Sequence, residues 1–180
     1  MLVEERDQDT PGVTTDLPGD QIVLRLKGVT QVDRDPDWVF RELHNPESLL
    51  RCVPGASLTR LVSPKRFEAR ISFGAGPLKF AYAGAGRIID SDPQSRTASM
   101  TLKEDRPSDV PRIRIRMTMA IDSHPQGSEI QMSFRVVVSD RTGLLRRAWV
   151  DPIACDLLDR TIRRVKRQLE DMPVSGPAAA

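Results

Sequence analysis

The chain has no apolar run near the 18 to 20 residues that a membrane-spanning helix needs, which excludes an integral helical anchor within it. Aromatic residues make up only 4% of the 180 residues, with a single tyrosine, Tyr82. Two cysteines, Cys52 and Cys155, lie far apart and outside any CxxC pair, so neither a zinc site nor a dithiol redox motif is expected. Two histidines, His44 and His124, stand outside any metal-spaced cluster. General acid–base chemistry needs positioned partners, and the sequence offers no convincing pair. No catalytic residue, metal or cofactor is expected. Ala83-Gly84-Ala85-Gly86-Arg87 is not a phosphate loop, because it sits in an alternating run with no helix after it.

Charge is unevenly spread. Residues 1–20 hold six acids and one arginine, a net −5, which leaves +7 on the remainder. With Pro11, Gly12, Pro18 and Gly19 in it, this stretch reads as a flexible acidic tail. The opening MLVEERDQDT has acids where a signal peptide has a basic and then an apolar region, so a cytoplasmic protein is expected. Residues 173–180 read as a disordered C-terminal tail, and 21–172 as one domain.

Within that domain QIVLRLKGVTQV alternates as a strand. Asp35 then caps a helix with Pro36 at its first position, and Asn45-Pro46 ends it and opens a second short one, PESLLRC, which stops at Pro54-Gly55. Six further alternating segments follow, mostly hairpin-linked: ASLTRLV, RFEARISF, LKFAYAGAGRII, RTASMTL, RIRIRMTMAI and EIQMSFRVVV. From Thr142 to Met172 apolar residues recur at helical spacing, with Pro152 marking a kink or a separate lead-in. The fold class is α+β: a seven-stranded curved antiparallel sheet around a long C-terminal helix, with two short helices after strand 1 closing one end.

A sheet covered by one helix leaves a space that side chains or a ligand must fill. Its candidate lining is Phe67, Ile71, Phe73, Leu78, Phe80, Tyr82, Met117, Met119, Phe134, Trp149, Ile153 and Leu157, with Met100 and Met132 beside them. Pro54 and Gly55 form the cavity-end motif. Few large rings and several adaptable methionines favour a cavity over a filled core, and a ligand cavity would exceed roughly 300 Å³. Arg112, Arg114 and Arg116 alternate with apolar residues and share the outer face of one strand. With Arg163, Arg164 and Arg167 on the last helix, they are candidates for docking on an anionic membrane or an acidic enzyme. No aromatics interleave with them, and nucleic acid is not an expected partner.

The element order resembles the START/Bet v 1-like (SRPBCC) helix-grip superfamily. The segment VFRELHNPESLLRCVPGASLTRL is similar to the carbon monoxide dehydrogenase G-subunit family. Its helix is Val39 to Leu43, its Asx-Pro-Glu is Asn45-Pro46-Glu47, its apolar turn is Leu49-Leu50, and Pro54-Gly55 precede the second strand. Gly74 to Tyr82 and Thr142-Gly143-Leu144 resemble later family features, and the likeness spans roughly residues 21–170. The resemblance implies a non-catalytic module that binds a quinone or lipid in a hydrophobic cavity. It would assist a molybdenum-containing carbon monoxide dehydrogenase-type hydroxylase by quinone delivery, membrane recruitment or maturation, with peripheral contact at the inner face of the cell membrane. Two alternatives stand beside it. A polyketide cyclase/dehydratase-like enzyme needs an acid or base inside the cavity, and an adaptor with a filled core needs no cavity.

Overall fold

A computed structural model describes residues 12–16, 21–75, 78–104, 112–139 and 147–173. The expectations for the tails outside these ranges and for Thr142-Gly143-Leu144 lie outside the described residues, as do the side chains of Phe73, Leu78, Phe80 and Trp149.

The two short helices form where their caps predict. Asp35 accepts the Trp38 N–H at 2.9 Å and opens α1 (Pro36–His44). Asn45 ends α1 and, through its side chain, accepts the Glu47 N–H at 2.9 Å to open α2 (Pro46–Cys52). The same residue can do both because its backbone is extended, as the proline after it requires. Gly55 then turns the chain with φ +75°. A β-carbon there would meet the Ser72 carbonyl oxygen at 1.9 Å, and the Gly55 carbonyl accepts the Ser72 N–H at 2.8 Å.

The seven expected strands are β2 (Gln21–Val32), β3 (Ala56–Ser63), β4 (Arg66–Ala75), β5 (Leu78–Asp92), β6 (Thr97–Glu104), β7 (Arg112–His124) and β8 (Gly127–Ser139). An eighth, β1 (Gly12–Asp16), lies in the stretch expected to be an unstructured tail and corrects that expectation at those five residues. It pairs with the edge of β2, with Thr14 opposite Arg25. The sheet is antiparallel in the order β1-β2-β8-β7-β6-β5-β4-β3.

The long helix α3 (Arg147–Asp171) runs without a break through Pro152. Its C-terminal half is fastened from three sides. Ile162 lies against Gly28, where an added β-carbon would sit 2.8 Å from its side chain. Arg34 donates to the Leu169 carbonyl at 3.0 Å and the Met172 carbonyl at 3.1 Å, satisfying acceptors that the helix end leaves open. Gln168 donates to the Ser48 carbonyl at 3.1 Å and so ties α3 to α2. The core is densest here: Val39, Leu43, Ile121, Ile130, Met132, Val165 and Leu169 are almost wholly buried.

Candidate functional site

Beyond this fastened end α3 still packs on β2 and β8, with Leu24, Leu26, Val138, Ala154 and Leu158 in a second buried cluster, and a space remains beside that contact. Gly28 admits Ile162 because it has no side chain, whereas further along β2 the inward positions are Leu26 and Leu24. Facing them from α3 come the stripe residues Val150, Ile153, Ala154, Leu157, Leu158 and Thr161. The space left between is a cavity of about 220 Å³.

Its walls follow the period-2 rule of each strand. β7 turns Ile113, Ile115 and Met117 inward and leaves Arg112, Arg114 and Arg116 exposed. β8 contributes Phe134, Val136 and Val138, β6 Met100 and Leu102, β5 Tyr82 and Gly84, and β4 Phe67 and Ile71. Leu49 and Leu50 of α2, with Val53 and Pro54 after it, form one end. The Phe67 ring lies over Gly86, where a β-carbon would fall 2.2 Å from the ring.

Of the residues expected from sequence, Phe67, Ile71, Tyr82, Met117, Phe134, Ile153, Leu157 and Pro54 border this space. Gly55 does not border it and shapes the turn beside Pro54. Met119, expected in the lining, is not there: it lies one inward step past Met117, 2% exposed, packed in the core at the fastened end. Sequence reasoning missed Leu24, Leu26, Leu49, Leu50, Ile113, Ile115 and the β8 valines. Their signal was the same alternation that marked Met117 and Phe134. The cavity also falls short of the roughly 300 Å³ expected of a ligand cavity, so its volume alone does not separate a ligand-binding module from an adaptor with a filled core.

The interior is almost wholly apolar. Thr161 spends its hydroxyl on the Leu157 carbonyl at 2.7 Å. Tyr82, 9% exposed, and Glu104 border the space, and each has a partner of its own. Among the described residues no group of three or more His, Cys, Asp or Glu could hold a metal ion. His44, at the end of α1, has an imidazole pKa lowered by burial and by the nearby Lys65 charge. His124 sits in the β7–β8 turn, where its Nδ1 accepts the Gln126 N–H at 3.2 Å. Cys52 is buried at the α2–α3 contact, its thiol 3.4 Å from both the Ser48 carbonyl and Gln168 Oε1, and burial pushes its pKa up to about 11. Arg163, Arg164 and Arg167 are exposed on α3, with Arg163 bound to Asp159 one turn earlier. No described helix is long and apolar enough to cross a membrane.

A curved antiparallel sheet wrapped on a long C-terminal helix, with an apolar space between them, defines the Bet v 1-like helix-grip class of ligand-binding folds. Residues 28–170 match the carbon monoxide dehydrogenase G-subunit family (CoxG), and the chain belongs to that family. No curated protein matches the chain in sequence. Among solved structures, a conserved protein from Geobacillus kaustophilus superposes with a TM-score of 0.66 at 14% identity, over 81% of this chain and 95% of that one. Ara h 8.0201 superposes with a TM-score of 0.53 at 12% identity, over 83% of this chain and 99% of that one. The di-domain ARO/CYC protein BexL of the BE-7585A biosynthetic pathway gives 0.52 at 19% identity, over 81% of this chain and 46% of that one. At these identities the likeness is one of fold.

Proposed function

We propose that this protein is a non-catalytic carrier of an apolar ligand, a quinone or a lipid. It works beside a molybdenum-containing carbon monoxide dehydrogenase-type hydroxylase by delivering quinone, by recruiting the enzyme to the inner face of the membrane, or in its maturation. The observation that carries this is the 220 Å³ apolar cavity held open between α3 and the sheet. An apolar cavity of about 150 Å³ takes a benzene-sized molecule. The space here therefore suits one substituted ring or a short alkyl segment, with any longer tail leaving through an opening. Burying roughly 300 Å² of ligand gives about 7 kcal/mol gross. Association costs remove several kcal/mol of that, which leaves affinity in the millimolar to micromolar range. That range suits pick-up and release. The family name supports the hydroxylase as partner, and the exposed Arg112, Arg114 and Arg116 support peripheral contact with an anionic surface.

Calorimetric titration with menadione, a quinone without a tail, tests the carrier role. The expected result is one equivalent bound, with at least about tenfold weaker binding to Ala154→Trp, whose indole would fill the cavity from α3. No uptake, or unchanged uptake by a cooperatively folded Ala154→Trp, overturns it. Delivery is tested by quinone reduction by the hydroxylase with and without this protein, and an unchanged rate removes that role.

A cyclase-like enzyme is the second function to weigh, because Glu104 and Tyr82 both border the cavity. Turnover of an aromatic polyketide that is lost in both Glu104→Gln and Tyr82→Phe would favour it over the carrier.

A further inference from the structure

The outer face of the sheet holds a second concavity, a groove of about 410 Å³ across β4, β5 and β6. Arg66, Arg87 and Lys103 stand around it, Ala85, Gly86 and Thr101 form its floor, and the exposed Val62 lies on its rim. Strand register explains the crowding of positive charge. Arg66 is directly opposite Arg87, and Arg87 is opposite Thr101. The same row continues through Arg116 and Arg135 to Arg25. In the next row Lys103 faces Arg114.

Directly opposed like charges destabilise a sheet, and this face has four such pairs: Arg66 with Arg87, Lys103 with Arg114, Arg116 with Arg135, and Arg135 with Arg25. Among the described residues, no ion pair within 4.0 Å involves Arg66, Arg87, Lys103, Arg114, Arg116 or Arg135. Two carboxylates border the groove. Glu68 is set across Ala85 from Lys103, and Glu104 has its own partner. With Arg114 and Arg116 on the neighbouring strand, five cations stand at or beside the groove against these two acids.

We propose that this groove is a binding site for phosphate groups. Two guanidinium forks on adjacent strands can each grip a pair of phosphate oxygens. Lys103 adds a point charge, and the Thr101 hydroxyl is a further donor beside them. A bound phosphate turns the opposed arginines from mutual repulsion into shared attraction. The Arg66, Arg87 and Lys103 side chains lie on the opposite face of the sheet from the apolar cavity, while Phe67, Thr101 and Glu104 border both spaces, and the proposal does not depend on the carrier function. The phosphate can belong to a soluble phosphorylated compound or to a lipid headgroup.

Two probes separate these sources: inorganic pyrophosphate by calorimetry at about 50 mM salt, and co-sedimentation with vesicles of phosphatidylglycerol in phosphatidylcholine. The test variant is Arg66→Gln with Arg87→Gln, and the control is Arg41→Gln with Arg51→Gln, an equal charge change at exposed positions of α1 and α2. Pyrophosphate binding should weaken at least about tenfold in the test variant and less than about twofold in the control. Vesicle binding that falls in parallel assigns the phosphate to a lipid headgroup, and vesicle binding that is absent or unchanged assigns it to a soluble compound. Both Arg66 and Arg87 are exposed, so the fold should survive, with a thermal midpoint no lower than that of the parent. A parent that binds neither probe, or equal losses in the two double variants, overturns the proposal.

Discussion

Gly86→Ala makes a sharp test of how the cavity wall is built. The added methyl carbon would sit 2.2 Å from two carbons of the Phe67 ring and 2.7 Å from a third. Ordinary contact begins near about 3.5 Å, so the ring must move by more than about 1 Å. Phe67 is 3% exposed and borders the cavity, which offers it room to move. Overpacking costs about 1–3 kcal/mol, and the open space on one side argues for the lower half of that range. At roughly 2–4 °C per kcal/mol for a chain of this size, the melting temperature should fall by about 2–8 °C. Phe67→Leu removes the ring and costs about 1 kcal/mol or more on its own. In that background the methyl meets no ring, and replacing glycine within a strand becomes neutral or stabilising. A urea-denaturation cycle on the four proteins should therefore give a coupling of about 1–2 kcal/mol. Additivity within about 0.5 kcal/mol would refute the contact. The same displacement shrinks the cavity, so Gly86→Ala should also weaken menadione binding.

Two further outcomes follow from burial. Cys52, with its pKa pushed up to about 11 and its side chain wholly enclosed, should resist a thiol reagent at neutral pH until the protein unfolds, while the half-buried Cys155 reacts in the native state. Two equally fast thiols would contradict the packing of α2 against α3. His44 has a folded pKa below the ordinary 6.5, because burial and Lys65 disfavour its charged form. The unfolded chain then binds more protons, so stability is full above 6.5 and is lost as pH falls through 6.5 towards the folded value. His44→Leu should flatten that part of the stability–pH curve relative to the parent, and an unchanged slope in chemical denaturation would remove His44 as its source.

The elements were legible where local chemistry dictates them. Asn45-Pro46 ends one helix and starts the next through its own cap geometry, and the alternation in RIRIRMTMAI separates an arginine face from an apolar one. β1 was not legible. Its five residues begin at Gly12, directly after Pro11, and stop just short of Pro18-Gly19, with no apolar alternation, and its pairing comes from the open edge of β2, which no local pattern in GVTTD encodes.

The candidate sites were legible only in part, because periodicity reports a face and not a depth along it. Met117 and Met119 share the inner face of β7, yet one borders the cavity and the other is sealed in the core. What separates them is which part of α3 and α2 lies over each: Met119 packs in the cluster with Val165 and Leu169, while Met117 also faces the space lined by Leu157 and Thr161, contacts between residues far apart in the chain. The outer face carries the same lesson more strongly. Arg25, Arg66, Arg87, Arg116 and Arg135 have no common spacing in the chain, and each alone reads as an ordinary solvated side chain. Pairing of β2, β8, β7, β6, β5 and β4 in one register brings all five into a single row. A face assembled this way works against the stability of the sheet that carries it. Its charge is therefore better explained by an anion that it meets than by the needs of folding.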